Sequence, residues 1–247
     1  MKIRILSDIH LEFWNWKYKS CGEDAVFIAG DICPRSTHHG KPMFDLFRQI
    51  KVPVFFCLGN HDFYGDSISE TIQKINIELS YVDLQHVHFL HNTYVDFDGY
   101  RICGSSLFTD FCAYGKASQP EVEIESKLGI SDFRYIKDLK TEDYIKYSDT
   151  AKSFLKNQIE ESALPLIFLT HWVPSMRFVD EKYRGNILNG YFVNECQEMF
   201  CDKIKLWNFA HTHSYLQQII GDTKFICNPR GYPSENKSWI ENLIIEI

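Results

Sequence analysis

The feature of this 247-residue sequence that most constrains its fold is a short apolar run that ends abruptly in polar side chains. Runs of this length, rich in Val, Ile and Phe and closed by Gly or Asn, are typical of buried β-strands. The residues that follow each run can bind metal ions. The pattern occurs five times, and it predicts strands over residues 3–6, 25–29, 52–58, 164–169 and 204–210.

Amphipathic stretches separate some of these runs. Apolar positions with helical spacing predict helices over residues 43–50, 67–79 and 141–159. Alternation of strand and helix indicates an α/β architecture in which the early strands are parallel.

Two further groups of strands are predicted outside this alternation. Residues 87–90, 93–97 and 100–105 have the pattern of a meander, with Asp98-Gly99 as a hairpin turn. Residues 215–220, 224–227 and 239–247 have the pattern of three more strands. We therefore predict an α/β fold of two packed β-sheets flanked by helices, a four-layer αββα sandwich, in one domain over residues 1–247.

The polar ends of the five runs supply seven candidate metal ligands. Because parallel strands place their carboxyl ends at one edge of a sheet, we expect these side chains to converge. Oxygen and imidazole ligands without thiolate suit Mn, Fe, Zn, Co or Ni better than Mg or Ca. Seven ligands exceed the need of one ion, whereas two divalent metal ions that share a carboxylate would use them all. The candidates are Asp8, His10, Asp31, Asn60, His171, His211 and His213.

The same residues form five motifs in a fixed order. These motifs resemble, in order, those of the calcineurin-like metallophosphoesterases. The last motif of that family usually opens with Gly, and Ala210 stands in its place here. The matching segments are Asp8-Ile9-His10, Gly30-Asp31, Gly59-Asn60-His61-Asp62, Thr170-His171 and His211-Thr212-His213.

The resemblance implies a metal-dependent phosphoesterase that acts through a metal-bridging hydroxide, with manganese as the expected metal. It implies that His61 is a general acid or a phosphate contact, oriented by Asp62. It also divides the ligands between two ions: Asp8, His10 and His213 for one, Asn60, His171 and His211 for the other, and Asp31 for both.

Two arginines are candidate substrate contacts. Arg35 lies four residues beyond Asp31 and could bind a phosphate through its guanidinium, or it could form a surface salt bridge. Arg230 lies in the segment 228–232, which resembles one in a bacterial and phage branch of the family. The alternative is that this segment is a turn linking two strands.

The aromatic and charged segment 108–147 fits neither strand nor helix repetition. It is interpreted either as a surface excursion or as a cap that covers the metal site. A cap favours a small substrate, and we expect a small phosphodiester or nucleotide. The alternatives are a phosphoprotein phosphatase and a non-catalytic binding scaffold of the same fold, although the scaffold is disfavoured because every motif residue is present.

Charge and cysteine content bear on partners and compartment. The net charge of −7 and the lack of a Lys/Arg-rich stretch make nucleic acid an unlikely partner. No apolar run reaches the roughly 20 residues of a membrane span, and we expect no signal peptide and no membrane partner. The eight cysteines show no C-x-x-C spacing, so we expect a reducing, cytoplasmic setting.

Overall fold

Two β-sheets form the centre of the fold in the computed structural model, which describes residues 1–247 apart from the side chain of Val82. The first sheet contains, in spatial order, β11 (Ile244–Glu246), β1 (Lys2–Leu6), β2 (Ala25–Ala29), β3 (Val54–Cys57) and β4 (Val87–Phe89). The second contains β5 (Thr93–Phe97), β6 (Tyr100–Ser105), β7 (Leu166–Thr170), β8 (Ile204–Phe209), β10 (Thr223–Cys227) and β9 (Leu216–Ile220).

The inner strands of both sheets are parallel. In the first sheet β1, β2, β3 and β4 pair in parallel, and in the second β6, β7, β8 and β10 do the same. The strands β11, β5 and β9 pair antiparallel at the edges. The carboxyl ends of β1, β2, β3, β7 and β8 each lead directly into one of the five motifs.

The sheets pack face to face. Ile5, Phe27 and Phe55 of the first sheet belong to one buried cluster with Ile167 and Leu206 of the second. The inner strands are buried on both faces, as is usual for parallel strands covered by helices, which explains their almost continuous apolar sequence.

Six helices surround the sheets: α1 (Lys41–Gln49), α2 (Ile68–Leu79), α3 (Gln119–Gly129), α4 (Asp132–Tyr135), α5 (Thr141–Glu161) and α6 (Asn189–Phe192). The side chain of Ser67 caps α2 by accepting from the backbone of Glu70, whose carboxylate accepts in return from the backbone of Ser67. Phe47 of α1 packs on Phe56 of β3, with ring centroids 4.8 Å apart. In the described part of the chain, no helix is long and apolar enough to cross a membrane.

The predicted α/β fold of two packed sheets flanked by helices is confirmed, with two corrections to the strands. The predicted meander does not form, because β4 belongs to the first sheet while β5 and β6 form a hairpin in the second. The Asp98-Gly99 turn of that hairpin is present, with φ of 48° and 82°. The last predicted strand, over residues 239–247, is shorter, and as β11 it pairs with β1 in the first sheet. Sequence spacing indicates hairpins well, but it carries no signal for the sheet that a strand joins.

Candidate metal centre

The motif residues at the strand ends come together in two clusters that share Asp31. The ligand atoms within each cluster lie within 4.8 Å of one another. The first cluster contains Asp8, His10, Asp31 and His213, and the second contains Asp31, His171 and His211. Asn60 joins the second cluster, because its Oδ1 lies 3.2 Å from Nε2 of His171.

Within each cluster, nitrogen atoms of two imidazole rings face each other. In the first, Nε2 of His10 lies 3.2 Å from Nε2 of His213 and 3.8 Å from Oδ2 of Asp31. In the second, Nε2 of His171 lies 3.1 Å from Nδ1 of His211 and 3.5 Å from Oδ2 of Asp31. Facing imidazole nitrogens with a carboxylate between them form a donor set for divalent metal ions.

The electrostatics of the clusters favour a bound cation. Burial and then the carboxylates of Asp62 and Asp8 raise the pKa of Asp31 well above its usual value. Burial lowers the pKa of His171 to about 4 and that of His211 well below its usual range, which leaves neutral imidazoles. A positive ion between these groups would compensate the buried carboxylates and bind the free imidazole nitrogens.

A buried atom of the first cluster supports the same conclusion. Oδ2 of Asp8 is buried and has no hydrogen-bond partner among the described residues. Buried polar atoms are usually paired, and an unpaired one commonly marks a position for an ion or a water. The residues present therefore fit a metal centre of oxygen and nitrogen ligands.

The backbone at the centre is strained. Asp8, His10, Asp31, His211 and His213 have positive φ values of 45°, 48°, 51°, 76° and 48°. A residue other than Gly in this region costs about 1–3 kcal/mol and persists where its surroundings hold it in place. Five of the seven candidate ligands thus share a conformation that turns the chain sharply at the end of a strand.

The glycines of two motifs are required by close packing. A Cβ at Gly59 would lie 2.2 Å from Oδ1 of Asp31, and a Cβ at Gly30 would lie 2.6 Å from Nδ1 of His171. Ala210, which replaces the Gly of the last motif, is fully buried and is not among the residues of positive φ. An alanine therefore fits at this position without strain, and His211 still reaches the second cluster.

His61 borders the same cavity as the clusters but contacts different partners. Its Nε2 lies 2.8 Å from the hydroxyl of Tyr232, and its Nδ1 lies 3.6 Å from Oε1 of Glu12. Its ring lies edge-on to that of His10, with centroids 4.7 Å apart. This position beside the first cluster is the one expected of a residue that contacts substrate.

The prediction that Asp62 orients His61 is wrong. The carboxylate of Asp62 is fully buried and accepts four backbone N–H groups, from Asp31, Ile32, Cys33 and Gly59, at 2.8–2.9 Å. The short 3-10 turn over His61–Phe63 directs this side chain into the protein, away from the imidazole. Asp62 instead fixes the loop that carries Asp31.

Hydrogen bonds that the sequence did not predict fix the imidazoles. Glu12 Oε1 lies 2.9 Å from Nδ1 of His10, and Glu235 Oε2 lies 2.5 Å from Nδ1 of His213. Burial lowers the pKa of His213, but its hydrogen bonds to the carboxylates of Asp8 and Glu235 outweigh this and raise it to about 9. Glu12 stands two residues after the first motif, so its role as a partner of His10 could have been proposed from the sequence. Glu235 lies near no motif, and the sequence gives no indication that it contacts His213.

Asn60 is oriented by a buried carboxylate from the predicted cap. Its Nδ2 donates to Asp132 at 2.8 Å, so its oxygen faces the second cluster. The same carboxylate accepts hydrogen bonds from the hydroxyls of Tyr64, Tyr144 and Tyr191. The first residue of α4 is thereby tied to the metal centre.

Replacement of Glu12 by Gln tests the outer partner of His10. We expect Mn²⁺ affinity to fall roughly 10–100-fold, because an outer partner that orients a ligand imidazole typically contributes that much. Calorimetric titration of the metal-free protein with Mn²⁺ measures the effect. Glu125→Gln, at an exposed position of α3, removes the same charge and serves as control. Unchanged affinity in Glu12→Gln would contradict this role.

Neither predicted arginine borders the cavity beside the metal centre. The guanidinium of Arg35 is buried between Asp66 and Glu78, at 3.8 Å and 3.7 Å, because the loop directs it toward α2. That of Arg230 lies 4.3 Å from the ring centroid of Trp14 and 5.0 Å from that of Trp239. Ion pairs and cation–π contacts hold the two guanidinium groups away from this cavity, and their contact with substrate stays a prediction.

The cavity beside the metal centre has a volume of about 310 Å³. Asp31, Asn60, His61, His211 and His213 border it on one side. Of the predicted cap segment 108–147, the part that borders the cavity is residues 129–132. A second wall comes from residues 179–192, which no sequence pattern indicated.

The chain resembles known proteins over almost its whole length. It is 24% identical over 276 residues to the "Uncharacterized protein L509" of Acanthamoeba polyphaga mimivirus, covering 99% of this chain and 96% of that protein. The structure of phosphopantetheinyl hydrolase (PptH) from Mycobacterium tuberculosis superimposes with a TM-score of 0.74 at 15% identity, over 98% of this chain and 95% of that one.

The fold is also similar to that of TT1561 from Thermus thermophilus. The TM-score is 0.52 at 16% identity, and 92% of this chain and 88% of that one are covered. At these identities the structural similarities show the fold alone. The sequence profile "Calcineurin-like phosphoesterase" matches residues 1–215. Because this match spans most of the chain, the protein belongs to the calcineurin-like phosphoesterase family.

Proposed function

We propose that this metal-dependent phosphoesterase hydrolyses a small phosphodiester or nucleotide with the help of two divalent metal ions. Family membership supports metal-dependent phosphoester hydrolysis in general. The observation that carries the finer proposal is the convergence of seven donor side chains on two clusters that share Asp31 and open on one cavity.

Each cluster would hold one ion, with Asp31 between them. Asp8, His10 and His213 would bind the first, and Asn60, His171 and His211 the second. When bound, the ions would offset the charge of the phosphate and lower the pKa of water, which provides a nucleophile near neutral pH. Among Mn, Fe, Zn, Ni and Co, manganese is our first choice for this mixed oxygen and imidazole set.

In this proposal, the side chain of His61 is the proton donor for the leaving group. Its imidazole borders the cavity and is held between Tyr232 and Glu12. A protonated His61 can donate its proton to the leaving oxygen as the P–O bond breaks. Tyr232 and Glu12 limit the rotation of the ring, and because Tyr232 itself borders the cavity, a leaving oxygen would take the place of its hydroxyl at Nε2 to receive the proton.

The size of the cavity favours a small substrate. A volume of about 310 Å³ lies at the lower end of typical small-molecule sites, and residues 129–132 and 179–192 wall it on two sides. A phosphoprotein phosphatase needs a more open groove. A non-catalytic scaffold would not need His61 held at the rim of a complete donor set.

We also propose a cytoplasmic location with no nucleic-acid or membrane partner. The eight cysteines are all free, as expected of a reducing compartment. The net charge of −7 disfavours binding to a nucleic-acid backbone.

A substrate panel with controlled metal content tests the proposal. Protein treated with chelator should show no turnover, and added Mn²⁺ should restore it, because charge compensation and the nucleophile both depend on the ions. The panel should contain phosphomonoesters, phosphodiesters, cyclic nucleotides and a phosphopantetheinyl ester, since PptH carries that name. Full activity of protein shown to be metal-free, or no turnover of any ester by manganese-loaded protein, would overturn the proposal.

A further inference from the structure

Apolar side chains form a large part of the cavity walls outside the metal centre. Ile130, Val179 and Leu188 contribute aliphatic surface, and Tyr64, Tyr191 and Phe192 contribute aromatic surface. Apolar surface stabilises a ligand by about 25 cal/mol for each Å² removed from water. The part of the substrate that enters this space is therefore selected by apolar contact.

Two neutral amides also lie on these walls. Asn186 and Asn189 border the cavity. Nδ2 of Asn189 donates to the backbone oxygen of Tyr183 at 2.7 Å, and Oδ1 of Asn186 accepts from the backbone of Leu188 at 2.9 Å. Both amides are therefore fixed by the backbone of their own segment, and they can hydrogen-bond to amide or hydroxyl groups of a ligand.

No lysine or arginine is among the described residues that border the cavity. Two cationic side chains occur in the wall segment, but Lys182 pairs with Asp180 at 3.6 Å and Arg184 pairs with Glu181 at 2.9 Å. Two carboxylates outside the candidate metal ligands also border the cavity: Asp132, which accepts hydrogen bonds from Asn60 and three tyrosines, and Glu235, which pairs with His213. Neither offers a positive partner to a second anionic group.

This charge distribution discriminates between substrates. The phosphate to be cleaved would be compensated at the metal centre, but a second anionic group would meet apolar walls and carboxylates. Transfer of an ion from water to such surroundings without a partner is strongly unfavourable. A neutral group of the same shape avoids this penalty.

We propose that the substrate is a phosphate ester with an uncharged arm of apolar, amide or hydroxyl character. On this view the site rejects esters that carry a second anionic group, nucleoside di- and triphosphates among them. This inference rests on the proposed function and specifies its substrate class.

Two isosteric diesters test the inference directly: bis(4-carbamoylphenyl) phosphate and bis(4-carboxyphenyl) phosphate. They differ in charge and hardly in shape, and each is symmetric, so either arm can enter the cavity. With rates corrected for uncatalysed hydrolysis, we expect kcat/KM to be at least about 10-fold higher for the amide diester, because unpaired polar groups in a site discriminate strongly.

A positive charge introduced at the wall should weaken this preference. Asn186→Lys places an ammonium group at the cavity and should narrow the ratio of the two kcat/KM values by roughly 10-fold. Asn157→Lys, at an exposed position of α5, makes the same charge change outside the cavity and should leave the ratio unchanged.

The outcomes separate the inference from the proposed function. Equal kcat/KM on the two diesters, or a preference for the carboxylate diester, would overturn the inference while leaving phosphoester hydrolysis in place. An equal change of the ratio in Asn186→Lys and Asn157→Lys would also overturn it, since the effect would then be one of net charge. No turnover of any ester by the manganese-loaded protein would overturn the proposed function itself.

Discussion

Asp31→Asn is expected to lose both bound metal and turnover. Asp31 is the carboxylate that both clusters share, with Oδ2 at 3.8 Å from Nε2 of His10 and 3.5 Å from Nε2 of His171. A neutral amide is a poor bridge between two cations. We therefore expect kcat/KM on a phosphodiester to fall by more than the roughly 10–100-fold typical for loss of an outer partner. Metal analysis and kinetics on the same preparation measure both effects.

The stability of the metal-free variant separates loss of metal from loss of fold. Burial and the neighbouring carboxylates of Asp62 and Asp8 raise the pKa of Asp31, so without metal its charge destabilises the folded state once the pH rises through that raised pKa. The neutral side chain of Asn at position 31 avoids the free-energy cost of this buried charge. Metal-free Asp31→Asn should therefore melt no lower than metal-free wild type at neutral pH, while the rise in Tm on adding Mn²⁺ should largely disappear.

Asp149→Asn, at an exposed position of α5, is the matched control and should keep both activity and the metal-induced rise in Tm. If Asp31→Asn kept its metal content and its rate, Asp31 would not be a bridging ligand. If its metal-free form melted far below wild type, the loss of activity would have to be assigned to misfolding.

The positions of the candidate ligands could be predicted because their signals are local. Each ligand follows an apolar run directly, and parallel strands bring such ends to one edge whatever the chain does between them. The side chains of Asp8 and His213 therefore lie 3.5 Å apart although about 200 residues separate them in the sequence. Gly30 and Gly59 precede candidate ligands directly in the sequence and belong to the same motifs. Their backbone packs so closely against Asp31 and His171 that a Cβ would not fit there.

The surroundings of the ligands could not be predicted, because they depend on tertiary contacts between distant segments. Glu235 and Asp132 reach the centre from segments with no motif. Asp62 follows His61 in the sequence, yet a 3-10 turn points the two side chains in different directions. The position of a basic residue close to a motif likewise does not predict a contact with substrate. Arg35 stands four residues after Asp31, yet its guanidinium pairs with acidic groups on and next to α2.

His61→Ala is expected to keep its metal ions and lose most of its activity on esters with a poor leaving group. The residue lies beside the first cluster and is not among its candidate ligands, and its Nε2 is 2.8 Å from the Tyr232 hydroxyl. Loss of a general acid typically costs roughly 10²–10⁴-fold in rate. Kinetics on an alkyl or nucleoside ester, together with metal analysis, measure the expected result.

The size of the loss should depend on the leaving group. A nitrophenolate leaves without protonation, whereas a sugar alkoxide must gain a proton as the bond breaks. The rate loss of His61→Ala should thus be clearly smaller on a nitrophenyl ester than on a nucleoside ester. Tyr232→Phe keeps the ring and removes only the hydroxyl that contacts His61, so its loss should be smaller than that of His61→Ala on both esters.

Other outcomes would assign His61 a different role. Equal losses on both esters with metal retained would make it an electrostatic contact to the phosphate, since such a contact stabilises the transition state whichever group leaves. Loss of metal in the variant would make it a ligand. The group formed by His10, Glu12 and His61, whose potential ligand atoms lie within 4.8 Å of one another, would then be the place where it binds.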